Sequence, residues 1–196
     1  MQCKELASTA LDTKSGESDI SAMRRLMLLR HAKTERAGPG ERDRDRKLMK
    51  RGRADATAIG AYLAHHGLVP DLALVSPAAR AQETWALVAP AFAKTPKMVG
   101  DERIYNATPD ALIGVIAATR KAKALLVVGH NPSLHDLALQ LVASGDADMR
   151  EQLNEKLPTS GLVVIDLPID DWPLLHAHAG RLERFVCPRL IAAATE

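Results

Sequence analysis

Two short apolar runs, each delivered straight into a histidine, constrain this chain more than any other feature. The first reads Leu26-Met27-Leu28-Leu29-Arg30-His31-Ala32-Lys33-Thr34, and the second Ala124-Leu125-Leu126-Val127-Val128-Gly129-His130-Asn131-Pro132. Unbroken apolar stretches of this length, bounded by polar or small residues, read as strands buried on both faces, the habit of parallel sheets. In open α/β sheets, ligands bind at the carboxyl ends of such strands. Two imidazoles brought to that edge, one with an arginine directly before it, imply a site for an anionic group. Phosphate is the leading candidate.

The rest of the chain alternates as that architecture requires. Arg51 to His66 carries Ala56, Ile59, Ala61, Leu63 and Ala64 on an apolar face and stops at Gly67, a good helix C′ residue before Pro70. Leu72 to Val75 reads as a strand. Ser76-Pro77, Thr108-Pro109 and Asn131-Pro132 each offer an N-cap followed by a proline at the first helical position. They open helices running to about Val88, over Leu112, Ile113 and Ile116, and through Val142. Gly161 to Leu167 and Leu174 to Val186 read as late strands, the second bent or folded into a hairpin around Gly180. Strands alternating with helices predict a three-layer α/β/α sandwich with a mostly parallel central sheet.

Composition is consistent with one such domain. The chain has 196 residues, 46% of them hydrophobic and only 3% aromatic, so its core must be built from Leu, Val, Ile and Ala. A net charge of +2 is too small to argue for nucleic acid or an anionic membrane. Cys3 and Cys187 lie at opposite ends and form no C-x-x-C pair, which fits a reducing cytoplasm and indicates neither a zinc site nor a disulfide framework. No uninterrupted apolar stretch is long enough to span a bilayer. Residues 1–22 are rich in Ser and Thr, carry Glu5, Asp12, Glu17 and Asp19, and lack the apolar core of a secretory signal. They read as a flexible extension, 1–22, ahead of a domain over 23–196.

The site chemistry can be argued from the same segments. Arg80, four residues after Ser76, falls in the first turn of its helix, where free N–H groups and the positive dipole end favour an anion. Arg30 and Arg80 can grip phosphate oxygens in the forked geometry of a guanidinium. Phosphoryl transfer needs fixed positive donors around the equatorial oxygens more than covalent help from the protein. A neutral imidazole at His31 is then the nucleophile, and His130 stabilises the transferring group or exchanges a proton with it.

The ordered set Leu-Leu-Arg-His-Ala-Lys-Thr, Ser-Pro-Ala-Ala-Arg-Ala-Gln-Glu-Thr and Val-Val-Gly-His-Asn-Pro resembles the histidine phosphatase superfamily, with its phosphoglycerate-mutase-like fold, and within it the SixA-like phosphohistidine phosphatase branch. The resemblance covers Leu26 to about Val186. The opening Arg-His-Gly of the family stands here as Arg30-His31-Ala32, and its Leu-x-x-x-Gly helix start as Leu48-Met49-Lys50-Arg51-Gly52. It implies a phospho-accepting His31 and a phosphate pocket completed by Arg30, Arg80 and His130, with Thr34 as a further phosphate-binding residue. The stretch Asp101-Glu102-Arg103-Ile104-Tyr105 is similar to a family segment that carries a proton-donating glutamate, which places that role on Glu102. No metal or cofactor is implied.

The resemblance leads to a metal-independent phosphatase acting through phospho-His31. Its expected partner is a phosphorylated protein, with phosphohistidine the chosen substrate, or else a small phosphorylated metabolite. A catalytically idle phosphate-binding module stays open, because binding uses the same arginines. Other polar features have plainer readings. The alternating charges from Glu41 to Lys47 read as a solvated loop, with Arg46 at the rim of the site. Glu83 reads as an ion-pair partner of Arg80 on the helix surface. His65 and His66 suit a helix C-terminus, while His176 and His178 read as sharing one strand face.

Overall fold

The computed structural model describes residues 23–193. The extension assigned to 1–22 lies outside the described residues. A seven-stranded sheet runs in the order β3-β2-β4-β1-β6-β7-β5. Its strands are β1 (Arg24–Arg30), β2 (Leu72–Val75), β3 (Lys97–Gly100), β4 (Ala124–Gly129), β5 (Val142–Gly145), β6 (Leu162–Leu167) and β7 (Gly180–Val186). The pairs β1·β4, β4·β2 and β2·β3 are parallel. β6 runs against both β1 and β7, and β5 lies parallel to β7, so β6 is the one reversed strand. The sheet is therefore mostly parallel, as the strand pattern predicts.

Both faces of the sheet are covered, which explains the unbroken apolar runs. Side chains alternate across a strand. Leu26 and Leu28 of β1 enter one core with Leu125 and Val127 of β4, and Met27 and Leu29 enter the other with Leu126 and Val128. Helices α3 (Pro109–Ala117), α4 (Ser133–Leu141) and α5 (Ala147–Glu155) cover the first face through Leu112, Ile116, Leu134, Leu137 and Leu153. Helices α1 (Lys50–His65) and α2 (Ala79–Val88) cover the second through Ile59, Leu63, Trp85 and Val88, and α6 (Pro188–Ala193) packs Ile191 against the same core. Aliphatic residues dominate both layers. Trp172 is a buried exception, its indole N–H donating to the Ala122 carbonyl at 2.7 Å.

Register brings the site together. Leu29 pairs with Val128, Arg30 with Gly129, and Val75 with both Val128 and Gly100. The carboxyl ends of β1, β4, β2 and β3 thus share one edge of the sheet. At its start, α1 is pressed against the backbone just beyond His31. Met49 N–H donates to the Lys33 carbonyl at 3.0 Å, and a Cβ on Gly52 would lie 2.1 Å from that same oxygen. No side chain fits there, which is the physical reason for glycine at the end of the Leu48-x-x-x-Gly52 motif.

Several local expectations are corrected. α2 starts at Ala79 with Ala78 as an N-cap that makes no side-chain bond, rather than at Pro77 with Ser76 as cap. The Ser76 hydroxyl lies 2.7 Å from the His130 ring and only 3.4 Å from the Ala78 N–H, so the histidine has taken it. α4 starts at Ser133, because the Asn131 side chain donates to the Leu157 carbonyl at 2.9 Å instead of capping. It ends at Leu141, where Val142–Gly145 leaves to pair with β7. Thr108 does cap α3, accepting from Ala111 N–H at 3.2 Å, with Pro109 as the first helical residue. Only Gly180–Val186 of the expected Leu174 to Val186 strand pairs, so His176 and His178 precede β7 and share no strand face. A Cβ at Gly180 would stand 2.4 Å from Ile165 Cγ2, so glycine lets β7 begin against β6.

Candidate active site

His31 leaves the end of β1 with its backbone held on three sides. Its N–H donates to the Gly129 carbonyl at 3.0 Å, its carbonyl accepts from Ser160 N–H at 3.2 Å, and the next N–H, of Ala32, donates to Thr84 Oγ1 at 3.0 Å. Thr84 in turn donates to the Arg80 carbonyl at 2.7 Å, tying the His31 segment to the helix that carries the second arginine. The His31 ring Nδ1 lies 2.8 Å from the Ala32 carbonyl. A carbonyl can only accept, so Nδ1 carries the proton and Nε2 holds the free lone pair. That is the nitrogen a phosphoryl acceptor needs.

His130 leaves β4 in the same way. Its ring centroid is 5.1 Å from that of His31, and its Nε2 contacts Ser76 Oγ at 2.7 Å. Tyr105 meets the His130 ring edge-on at 5.6 Å and lies 5.8 Å from the guanidinium carbon of Arg80. Arg80, the second residue of α2, is 5% exposed. Arg30, the last residue of β1, donates through one terminal nitrogen to the Leu157 carbonyl at 2.8 Å.

Three polar atoms in this cluster are buried and have no protein partner: Arg30 Nε, Arg80 Nε and His130 Nδ1. Leaving such groups unmet costs on the order of 1–3 kcal/mol each, more where they are charged. Two guanidinium N–H donors and an imidazole nitrogen beside a free Nε2 lone pair make a seat for a tetrahedral oxyanion. The electrostatics agree. Burial, reinforced by the Arg80, Arg30 and Arg46 cations, lowers the His31 pKa to about 4 against the opposing pull of the Ala32 carbonyl. Burial, with His31 and Arg80 next, lowers that of His130 to about 3. Both imidazoles are neutral at pH 7, as nucleophilic attack requires.

The alternating charge run is more than a solvated loop. Asp43, in a 3-10 turn over Asp43–Asp45, reaches across to Arg80. Its carbonyl accepts from one terminal nitrogen at 2.6 Å and its carboxylate from the other at 2.9 Å. The carboxylate also accepts from Arg46 at 2.9 Å and from the Tyr105 hydroxyl at 3.1 Å. The Arg46 bond foremost, followed by Arg80 and Tyr105, holds the Asp43 carboxyl down at about 2. A phosphate can use both terminal nitrogens of Arg80 only when Asp43 releases them. Glu83, expected to pair with Arg80, bonds instead to Leu48 N–H at 2.8 Å and Arg53 at 2.6 Å, because Arg80 is turned inward.

The structure places the remaining two expected residues at the margin. Thr34 is half-buried and its hydroxyl accepts from Arg46 at 2.6 Å, leaving its own proton for another acceptor. Glu102 follows β3 in a 3-10 turn, its side chain 72% exposed and bonded to Arg44 at 2.6 Å. Arg44 lies 5.8 Å from the centre of the Tyr105 ring, so Glu102 borders the site through one intervening cation. Sequence reasoning missed Asp43, the Tyr105 ring and the Ser76 hydroxyl. The spacing of Tyr105 three residues after Glu102 was the one available signal. Among the described residues, no group of three or more His, Cys, Asp and Glu side chains is arranged to hold a metal ion.

Comparison with known proteins agrees with this geometry. The profile of the histidine phosphatase superfamily (branch 1) matches residues 26–104. An uncharacterised protein of Mycobacterium tuberculosis (strain H37Rv) is 35% identical over 168 residues, covering 82% of this chain and 100% of that one. Among solved structures, SixA from Agrobacterium tumefaciens is 34% identical with a TM-score of 0.72, over 84% of this chain and 98% of that one. A SixA structure complexed with tungstate is 19% identical with a TM-score of 0.63, over 85% and 99%, a likeness that shows the shared fold. Strand-end histidines, inward-facing arginines and a relative aligned over nearly its whole length converge: the chain is a phosphatase of the histidine phosphatase superfamily, in its SixA-like branch.

Proposed function

We propose that this protein hydrolyses phosphohistidine on a protein substrate, without a metal, through a phosphoenzyme on His31. The observation that carries the reading is the trio of unmet buried polar atoms, Arg30 Nε, Arg80 Nε and His130 Nδ1, beside an imidazole whose Nε2 is unprotonated. SixA of Agrobacterium tumefaciens, 34% identical, carries the name phosphohistidine phosphatase, which supports the choice of substrate. The catalytic domain is assigned to 23–196, and the two unpaired-by-motif cysteines of the sequence support a reducing cytoplasm as its setting. No helix among the described residues is long and apolar enough to cross a membrane.

The reaction has two halves. The Nε2 lone pair of His31 forms a bond to phosphorus while the P–N bond to the substrate imidazole breaks, and the departing imidazole takes the electron pair and a proton from solvent. Water then attacks the phosphorus of phospho-His31 and releases a proton to solvent, inorganic phosphate leaves, and the electron pair of the broken P–N bond returns to Nε2. Arg30 and Arg80 hold the equatorial oxygens throughout, with the Thr34 hydroxyl as an added donor and His130 against the transferring group. The decisive experiment is rapid mixing with a slow substrate followed by an acid-free quench. The expected product is a phosphoenzyme stable to alkali and labile to acid, formed equally well with EDTA present. Tight phosphate binding without turnover, across substrates and pH, would instead identify an idle binding module.

Glu102 separates substrate classes. An alcohol must be protonated as it departs, whereas imidazole is a good leaving group protonated easily near neutral pH. Glu102→Gln is therefore expected to leave phosphohistidine hydrolysis within about twofold and to slow unactivated monoesters by about 10²-fold, the usual lower range for general acid catalysis. Parallel kinetics on a phosphohistidine peptide and a phosphoserine peptide check this. Equal losses on both would contradict the division of labour.

A further inference from the structure

A cavity of about 600 Å³ among the described residues is lined by neither His31 nor His130. It lies beside them. β1, β6 and β7 are adjacent in the sheet, and Leu29 pairs with Leu162, which pairs with Val186. The chain beyond Val186 therefore emerges at the same edge as His31, two strands away. At about 4.8 Å per strand this is a separation of about 10 Å. Lys33, two residues past His31, forms part of the groove wall together with Pro158 and Thr159. That 157–160 turn also faces the phosphate pocket, since the Leu157 carbonyl accepts from Arg30 and Ser160 N–H donates to the His31 carbonyl. One wall serves two compartments.

The groove's chemistry differs from that of the pocket. Phe185 and Leu190 contribute apolar surface, and its size falls within the range of about 300–1,000 Å³ common to ligand clefts. Its charge is unbalanced: Lys33, Arg51, Lys156 and Arg189 face Asp55 and Glu155. Arg51 lies 3.8 Å from Asp55, which accounts for one pair. Among the described lining residues, Lys33, Lys156 and Arg189 then stand against Glu155, on exposed stems that can reach an incoming chain. None of these groups is needed to hold a phosphate seated on Arg30 and Arg80.

We propose that this groove binds the polypeptide flanking the phosphorylated residue and selects an acidic segment with an apolar side chain. The inference rests on the proposed protein substrate and adds to it a sequence preference. A strand advances about 3.3 Å per residue, so a span of about 10 Å places the favoured carboxylates about three to five positions from the phosphohistidine. Cations that meet them act on association and on KM, not on the chemical step, because they lie away from the reacting atoms.

The test uses the full-length protein, two peptides and a generic aryl phosphate. One peptide carries Glu and Asp three to five residues to either side of a phosphohistidine, and the other carries Lys at those positions. The wild type is expected to prefer the acidic peptide by about tenfold or more in kcat/KM. The double variant Lys156→Glu and Arg189→Glu, both at exposed positions, should lose that preference through KM while its aryl phosphate turnover stays within about twofold. Undiminished preference in the variant, or equal turnover of the two peptides by the wild type, would overturn the groove assignment. A parallel fall in aryl phosphate turnover would also count against it, since the charges would then act on the pocket. Absence of turnover of every substrate by the wild type would mark failure of the phosphatase reading itself.

Discussion

His31→Ala is expected to abolish turnover, with kcat reduced on the order of 10⁴-fold or more, the scale seen when a covalent nucleophile is removed. No neighbouring group can take its place. His130 has its Nε2 engaged with the Ser76 hydroxyl at 2.7 Å, so it can assist the transfer but that nitrogen is not free to accept the phosphoryl group. Phosphate affinity should survive, because Arg30 and Arg80 remain on their own elements and the His31 backbone bonds to Gly129 and Ser160 do not depend on its ring. Calorimetry with inorganic phosphate beside steady-state kinetics separates the two. A variant that keeps more than about one hundredth of wild-type kcat, with no phosphoenzyme, would exclude His31 as the nucleophile.

Much of this arrangement was legible in the sequence because it is local. Arg30, His31 and His130 are the last residues of, or the first beyond, strands whose apolar runs are self-evident, and Arg80 lies in the first turn of a helix that follows another strand end. Four side chains then meet because parallel strands share a carboxyl edge. What was not legible depends on long-range pairing. Asp43 contacts a partner 37 residues away, and in sequence its alternating neighbours look like any solvated loop. Ser76 reads as a helix cap, but a histidine 54 residues away claims its hydroxyl. The missed elements lack a burial signature for the same kind of reason. β3 is an edge strand exposed along its whole length, and α5 buries only Leu153.

Stability should fall steeply as pH drops from about 6.5 towards 4, and the imidazoles of His31 and His130 set the sign. In the unfolded chain each titrates near the ordinary histidine value of about 6.5. In the folded protein, burial lowers His31 to about 4 and His130 to about 3. Below pH 6.5 the unfolded state therefore binds protons that the native state refuses. The stability at stake is fully present above 6.5 and is lost progressively as pH falls through the window down to those folded values. Each pH unit costs about 1.4 kcal/mol per group, so the limiting slope for two groups is about 2.7 kcal/mol per unit. The rings stand 5.1 Å apart and each opposes the other's protonation, so the two contributions are not independent. The cumulative loss is still several kcal/mol, a large part of the 5–15 kcal/mol typical of a domain. Asp43 acts mainly below this window, because its stabilisation is lost as pH falls from its ordinary value of 3.8 to about 2. Urea unfolding followed at half-unit steps from pH 7.5 to 4 measures the slope directly. Replacing both histidines with asparagine should flatten it, and an unchanged slope in that variant would assign the acid sensitivity to other groups.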